Sequence, residues 1–291
     1  MTFSPLLLVV LASLIHASWN LLAKRAASAG AMFVLAYSLT SSIVYAPWVA
    51  YVLFRGDGPG WSSSAIALVL ASAISHLAYS LCLQRGYQVA DFSVVYPIAR
   101  GTGPMISTLG AFLILREPVS AQGLAGLTLV LAGIGLVATR GNLSAFRRPG
   151  GQRGVRWGVT TGSLVATYTV VDAYSVKIFG VPPVVLDWFS NILRVMLLMP
   201  LFMANPGRAM RSMRGHWWIA LAVGLLSPLS YILVLTALNS GAPLSVVAPM
   251  REMSMMIGAL LGMLILREQV GFWRFVGCAL LVAGATVLSG A

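Results

Sequence analysis

An arginine inside a membrane-length apolar run can survive only if something holds its charge, and this sequence places one there twice. Residues 94–118 read VVYPIARGTGPMISTLGAFLILREP and residues 246–269 read VVAPMREMSMMIGALLGMLILREQ. Each copy opens on Val-Val-x-Pro, places an arginine within three residues of the proline (Arg100, Arg251), and closes on Leu-Arg-Glu. A guanidinium at mid-bilayer costs about 2.5–3.5 kcal/mol even on the mild insertion scale, so it must face protein or water. Both arginines are read as facing an internal cavity, where they would hold an anionic group. Glu252 directly follows Arg251, and neighbours on a helix point about 100° apart. It is therefore read as facing the cavity without an ion-pair partner, free to carry a proton. The alternative is that Asp172, Asp187 and Glu252 neutralise the three intramembrane arginines Arg100, Arg194 and Arg251, with Arg100 and Arg251 structural partners of Asp172 and Glu252.

The remaining polar residues of the apolar runs fall on helical faces. Ser13, His16, Asn20 and Lys24 are three or four apart and make one stripe, with Trp19 beside it. A histidine titrates near neutrality, so His16 could bind or relay a proton. Ser72, His76, Tyr79 and Ser80 form a second stripe, Tyr168, Asp172 and Ser175 a third, and Asp187, Asn191 and Arg194 a fourth. Each stripe is either a cavity wall or a helix interface whose groups satisfy one another. For Asp187 with Arg194, mutual neutralisation is the favoured reading. The candidate substrate contacts are His16, Trp19, Asn20, His76, Tyr79, Arg100, Tyr168 and Arg251, and the candidate proton carriers are Glu252 and Asp172. Met250, Met253, Met255 and Met256 surround the second arginine, and flexible thioethers suit a pocket that takes several shapes. Cys82 and Cys278 have neither metal-ligand spacing nor a disulfide framework, so no metal and no cofactor is expected.

The elements that must position these residues follow from composition. Of 291 residues, 58% are hydrophobic and 9% charged, where a soluble domain carries about 25% charged. The apolar residues come in blocks near the roughly 20 that a spanning helix needs, not in the alternating segments of a membrane barrel. The fold class is an all-α integral membrane protein. Ten transmembrane helices are predicted near 4–23, 31–54, 62–84, 92–115, 119–139, 157–178, 182–203, 216–238, 243–266 and 271–289. Turn residues join them at 55–60, 181–183, 205–207 and 240–243. A basic, glycine-rich connection over 141–156 separates a first five-helix repeat, 1–140, from a second, 157–291. Because five is odd, two such copies enter the bilayer from opposite sides, and inverted repeats are a transporter signature. The match extends further: Glu117, Gly126 and Gly133 recur at the same spacing as Glu268, Gly277 and Gly284.

At these residues the chain resembles the ten-span, two-repeat EamA branch of the drug/metabolite transporter superfamily, over essentially its whole length. His16-Ala-Ser-Trp19-Asn20 and Tyr168-Thr-Val-Val-Asp172 add to the likeness. The resemblance implies a metabolite or amino-acid-like exporter, less often an importer, and supplies no catalytic motif.

The expected function is a secondary transporter, an exporter by family habit, of a small amino-acid-like or anionic metabolite, with proton coupling through Glu252, Asp172 or His16. A lipid-linked-sugar flippase of the same fold is the alternative, and a membrane-embedded enzyme is disfavoured by the lack of HExxH, GxSxG or a paired Asp motif. No GxxxxGK[ST] loop offers direct ATP drive. The partners expected are a small-molecule substrate and the lipid bilayer, with the protein a monomer or homodimer of the inner (plasma) membrane.

The net charge of +12 suggests orientation, not nucleic acid. With the N-terminus outside, the cytoplasmic connections hold Lys24, Arg25, Arg85, Arg140, Arg147, Arg148, Arg153, Arg156, Arg208, Arg211, Arg214, Arg267 and Arg274; the other side holds only Arg55, Arg116 and Lys177. Short loops obey the positive-inside rule best, so both termini are placed outside the cytoplasm. The first span lacks a preceding positive residue and is read as retained, not as a cleaved leader. Single cysteines introduced at Asp57 and Asn142, in a background without Cys82 and Cys278, test the orientation. An impermeant thiol reagent applied outside should label the first and spare the second; the reverse pattern would invert the topology.

Overall fold

The structure is a computed structural model describing residues 3–56, 60–89, 92–139, 141, 144, 151–257 and 271–290. Among these residues there is no strand. The helices are α1 (Phe3–Arg25), α2 (Gly30–Phe54), α3 (Ser63–Val89), α4 (Phe92–Leu113), α5 (Ala121–Thr139), α6 (Gly151–Lys177), α7 (Pro183–Ala204), α8 (Pro206–Ser212), α9 (Trp217–Asn239), α10 (Leu244–Met250) and α11 (Phe272–Ser289). Seven of them, α1, α2, α3, α5, α7, α9 and α11, are long and apolar enough to cross a membrane. Helices α4 and α6, which carry Arg100 in one case and Tyr168 and Asp172 in the other, are not among these seven.

Three features depart from the sequence-based expectation. The span predicted over 243–266 is interrupted. Helix α10 ends at Met250, Arg251 and Glu252 form a turn, and helix resumes over 253–257. Glu252 N–H reaches the Pro249 carbonyl and Ser254 N–H the Arg251 carbonyl, three residues back in both cases. This tightened turn breaks the regular ladder where the two charges sit. The rest of that span, with Gly258, Gly262 and the second Leu-Arg-Glu ending, lies outside the described residues. An additional helix, α8, occupies the Asn-Pro-Gly joint, because Asn205 caps it by accepting from the Arg208 N–H at 3.0 Å and Pro206 takes the first turn. Helix α6 begins at Gly151, so Arg153 and Arg156 belong to it and not to the connection.

The long helices pack in pairs. Helix α4 runs along α6, α1 along α9, α3 along α6, α2 along α7 and α9, and α5 along α11. The last pair is built on the duplicated glycines. A methyl group on Gly133 would meet the Gly277 carbonyl oxygen at 2.8 Å, and one on Gly277 would meet the Gly133 carbonyl oxygen at 2.9 Å. Gly126 and Gly284 repeat the arrangement, at 3.2 and 2.9 Å. Since 126 faces 284 and 133 faces 277, the helices are antiparallel with backbones in contact, the use of small residues that membrane helix packing favours.

Between α4 and α5, Glu117 reaches across to the start of α10. Its carboxylate accepts from the Leu244 and Ser245 N–H groups at 2.6 and 2.9 Å, from the Ser245 hydroxyl at 2.7 Å and from the Lys177 ammonium at 2.9 Å. Burial pushes this carboxyl upward, but the two backbone N–H bonds, Lys177 and Ser245 outweigh it and hold the group below the ordinary carboxylate range.

The glycine seam makes a direct prediction. Gly133→Val should destabilise the protein by about 1–3 kcal/mol through overpacking, read by denaturant unfolding in micelles. Gly135→Ala is the control on the same helix, because its new methyl meets nothing within 4 Å; it should be neutral or stabilising by up to about 1 kcal/mol. Equal stability of the two variants would mean that the seam does not require glycine.

Candidate functional site

Tyr168, on α6, is the hub of a buried aromatic and ionic cluster. Its ring stacks on the His76 imidazole from α3, with centroids 3.9 Å apart, and meets Tyr79 at 5.6 Å and Tyr231 of α9 at 6.1 Å edge-on. Its hydroxyl accepts from the Arg251 guanidinium at 3.3 Å. One turn along α6, the Asp172 carboxylate is fully buried, and its Oδ2 accepts from the Tyr231 hydroxyl and contacts His76 Nε2 at 3.1 Å. The i, i+4 spacing of 168 and 172 places hub and carboxylate on one helical face, and α6 presents that face to α3 and α9.

The two duplicated arginines meet different fates. Arg100 Nε lies 2.7 Å from Glu252 Oε2, in an ion pair whose acid is 2% exposed, and a terminal nitrogen of Arg100 donates to the Ser254 hydroxyl at 2.8 Å. Sequence reasoning leaves Glu252 alone in the cavity. The turn at 251–252 instead swings it to the arginine of the other copy. Arg251 is 6% exposed and has no carboxylate in ion-pair reach among the described residues. It has the Tyr168 hydroxyl and the Tyr231 ring face, 5.8 Å away, and its Nε has no hydrogen-bond partner. Asp172 Oδ1 is likewise buried without a partner.

The first-helix stripe divides along its length. Ser13 is fully buried and donates to the Val9 carbonyl at 2.9 Å, with the Arg251 carbonyl at 3.5 Å. His16 meets Trp19 edge-on at 4.9 Å, and Trp19 Nε1 donates to the Ser230 hydroxyl at 3.2 Å. Asn20 departs from the cavity reading: it is exposed, and its amide donates to its own helix at the His16 carbonyl. The Lys24 side chain lies outside the described residues. Asp187 and Arg194 do not pair as expected either. Asp187 accepts from the Asn191 amide at 2.9 Å, and Arg194 Nε points to the Ser190 carbonyl at 3.4 Å. Asp187 and Arg194 lie seven residues apart on one helix, and each finds a partner only four residues away.

Sequence reasoning missed Tyr231, Ser230 and Ser254. A signal for the first two existed, since polar residues cluster around Pro228 inside an otherwise apolar span. Ser254 gave none, because a serine in a membrane helix is ordinary. No group of three or more potential metal ligands occurs among the described residues.

A charged hub with free donor and acceptor atoms, buried between helices of two duplicated halves, belongs to binding chemistry. The family model for EamA-like transporters matches the chain twice, over residues 3–139 and again over 152–290. The chain belongs to the EamA-like transporter family. Two relatives of this EamA-like protein, both named multidrug resistance protein EbrB, come from Bacillus subtilis (strain 168) and Bacillus atrophaeus. Each is 30% identical over 82 residues, which is 28% of this chain and 65% of the relative's length. A chain of known crystal structure superposes with a TM-score of 0.75 at 18% identity, covering 99% of this chain and 96% of its own, and so shares the fold. Membership, with seven described helices long and apolar enough to cross a membrane, makes this a multi-pass membrane protein.

The contrast between the arginines sets a stability test. Arg100→Ala leaves the Glu252 carboxylate buried without its cation and should destabilise by about 3–5 kcal/mol. Arg251→Ala removes no ion pair and should cost less than about 1.5 kcal/mol, the scale of one hydrogen bond. Thermal unfolding in detergent ranks the two, and an equal or reversed ranking would contradict the pairing.

Proposed function

We propose that this EamA-like protein is a secondary transporter that exports a small amino-acid-like or anionic metabolite across the inner membrane. Ten spans in two inverted five-helix halves form it, both termini lie outside the cytoplasm, and it works as a monomer or homodimer. The antiparallel glycine seam supports the inversion, since α5 and α11 close the two matched repeats. Helix pairing supports it too: exchanging the halves turns the contact of α1 with α9 into that of α6 with α3.

Arg251 is the observation that carries the substrate class. A buried guanidinium needs an anion, and this one has a phenol, a π face and an unpartnered Nε. A substrate carboxylate fits there as a forked, charge-assisted contact. Asp172 Oδ1, buried without a hydrogen-bond partner, suits the ammonium of a zwitterion. A purely hydrophobic cation would call for acids without arginines. The relatives named for multidrug resistance cover under a third of the chain, and Met250, Met253 and Met255 beside Arg251 would allow a range of side-chain shapes around a constant charged end. Proton coupling runs through Asp172 in preference to Glu252, because Arg100 already neutralises Glu252.

A ligand screen by thermal stabilisation of the purified protein tests this reading, since binding to the native state raises apparent stability. Amino acids or organic anions should raise the melting temperature, polyamines should not, and Arg251→Gln should remove the effect while leaving the unliganded melting temperature nearly unchanged. Stabilisation by polyamines alone, or a response that survives Arg251→Gln, would overturn the assignment.

A further inference from the structure

Away from the charged cluster lies a groove of about 170 Å³ between α2, α7, α8 and the start of α9, and every residue lining it is apolar. Leu35 and Leu39 come from α2, Phe202 from α7, Met210 and Met213 from α8 and the turn after it, and Trp217 from α9. The groove opens to the side, since Leu39 is 42%, Met210 50% and Trp217 49% exposed. It offers no hydrogen-bonding group that could orient a polar metabolite, so it is not an extension of the Arg251 site.

Helix α8 roofs this groove and is amphipathic in a revealing way. Ala209 and Met213, four apart, are buried against the groove, whereas Arg208 and Arg211, three apart, are exposed on the opposite face, with exposed Arg214 just beyond. None of the three guanidinium groups pairs with a carboxylate among the described residues. Trp217 and Trp218, both exposed, follow within a few residues. A short helix with arginines on one face and apolar residues on the other, beside tryptophans at the start of a span, is the composition of a segment lying in the headgroup plane. The groove meets the first turns of α2 and the last turns of α7, which places it at the same membrane face.

We propose that this groove and α8 form a binding site for an anionic phospholipid, one acyl chain lying against Leu35, Leu39 and Phe202 and the phosphate held by Arg208, Arg211 and Arg214. Charge complementarity decides the occupant. A groove of apolar side chains beside three guanidinium groups that pair with no carboxylate among the described residues matches an amphiphile with a negative head, and each arginine near the surface adds to the attraction. Because α8 directly links α7 to α9, the two long helices that follow the Asp172 helix in the chain, the bound lipid would fix the spacing of α7 and α9 at that membrane face.

Native mass spectrometry of protein released from nanodiscs of phosphatidylcholine with a minor share of phosphatidylglycerol tests the site. The unaltered protein should retain a phospholipid enriched in phosphatidylglycerol by roughly tenfold over its share of the bilayer. Replacing Arg208, Arg211 and Arg214 by glutamine, all exposed, should abolish the enrichment. Ala36→Phe fills the groove and should lose the retained lipid of either kind; Leu39→Trp, at the exposed rim, serves the same purpose should the first variant fold poorly. Retention in simple proportion to bilayer composition, or enrichment that survives the triple substitution, would overturn the proposal. So would a groove-filling variant that changes the number of protomers and not the lipid, because a second copy of the chain would then cover the groove.

Discussion

Everything at the centre of this protein depends on how charge is held in a medium that solvates it poorly. The Arg100–Glu252 pair joins the two duplicated stretches at 2.7 Å, with the acid almost fully buried. Removing either partner would leave the other unscreened at a depth where that penalty amounts to a large part of the stability of a fold. Arg251 and Asp172 are handled differently. Aromatic rings, phenols and an imidazole surround them, and each keeps an unpartnered atom. The same scarcity of solvation that locks the first pair leaves Arg251 and Asp172 with polar atoms that the described residues do not satisfy.

The helices that present these groups are held by two devices of opposite character. On the apolar side, α5 and α11 bring their backbones together through four glycines, a contact governed by shape that a single methyl group would wedge apart. On the polar side, Glu117 ties the loop after α4 to the start of α10 through two backbone N–H groups, a hydroxyl and the Lys177 ammonium. Glu117 thus satisfies backbone donors that have no intrahelical partner at the head of the short helix that leads into Arg251 and Glu252. Among the described residues, Glu117 serves capping, while Gly126, Gly133, Gly277 and Gly284 serve packing.

The turn at Arg251 and Glu252 connects these devices. A continuous helix would have pointed the two charges about 100° apart and left their partners to chance. Tightening the backbone after Pro249 sends Glu252 to Arg100 and Arg251 to Tyr168, so a local irregularity gives one charge an ion pair and the other a phenol. Irregular backbone at this depth is tolerated where it lines a polar interior.

Much of this was legible in the sequence because it is local. Apolar block length specifies spanning helices, the recurrence of Val-Val-x-Pro, arginine and Leu-Arg-Glu specifies two copies, and an arginine in such a run must have company. His76, Tyr79, Arg100, Tyr168, Asp172 and Arg251 could be named as polar residues in apolar helices and do converge or pair in the interior. What each touches was not legible, because contact depends on the rotation of a helix about its axis and on elements far away in the chain. Spacing put Asn20 on the same stripe as Ser13, yet the structure leaves one at the surface and buries the other. Glu252 found its partner 152 residues back, through a turn that a proline permits but does not require. Tyr231 joined the site from a helix whose composition is almost wholly apolar. Composition and period determine which segments enter the membrane; only tertiary packing decides which face of each segment meets another, and with it which buried charge finds an opposite charge and which does not.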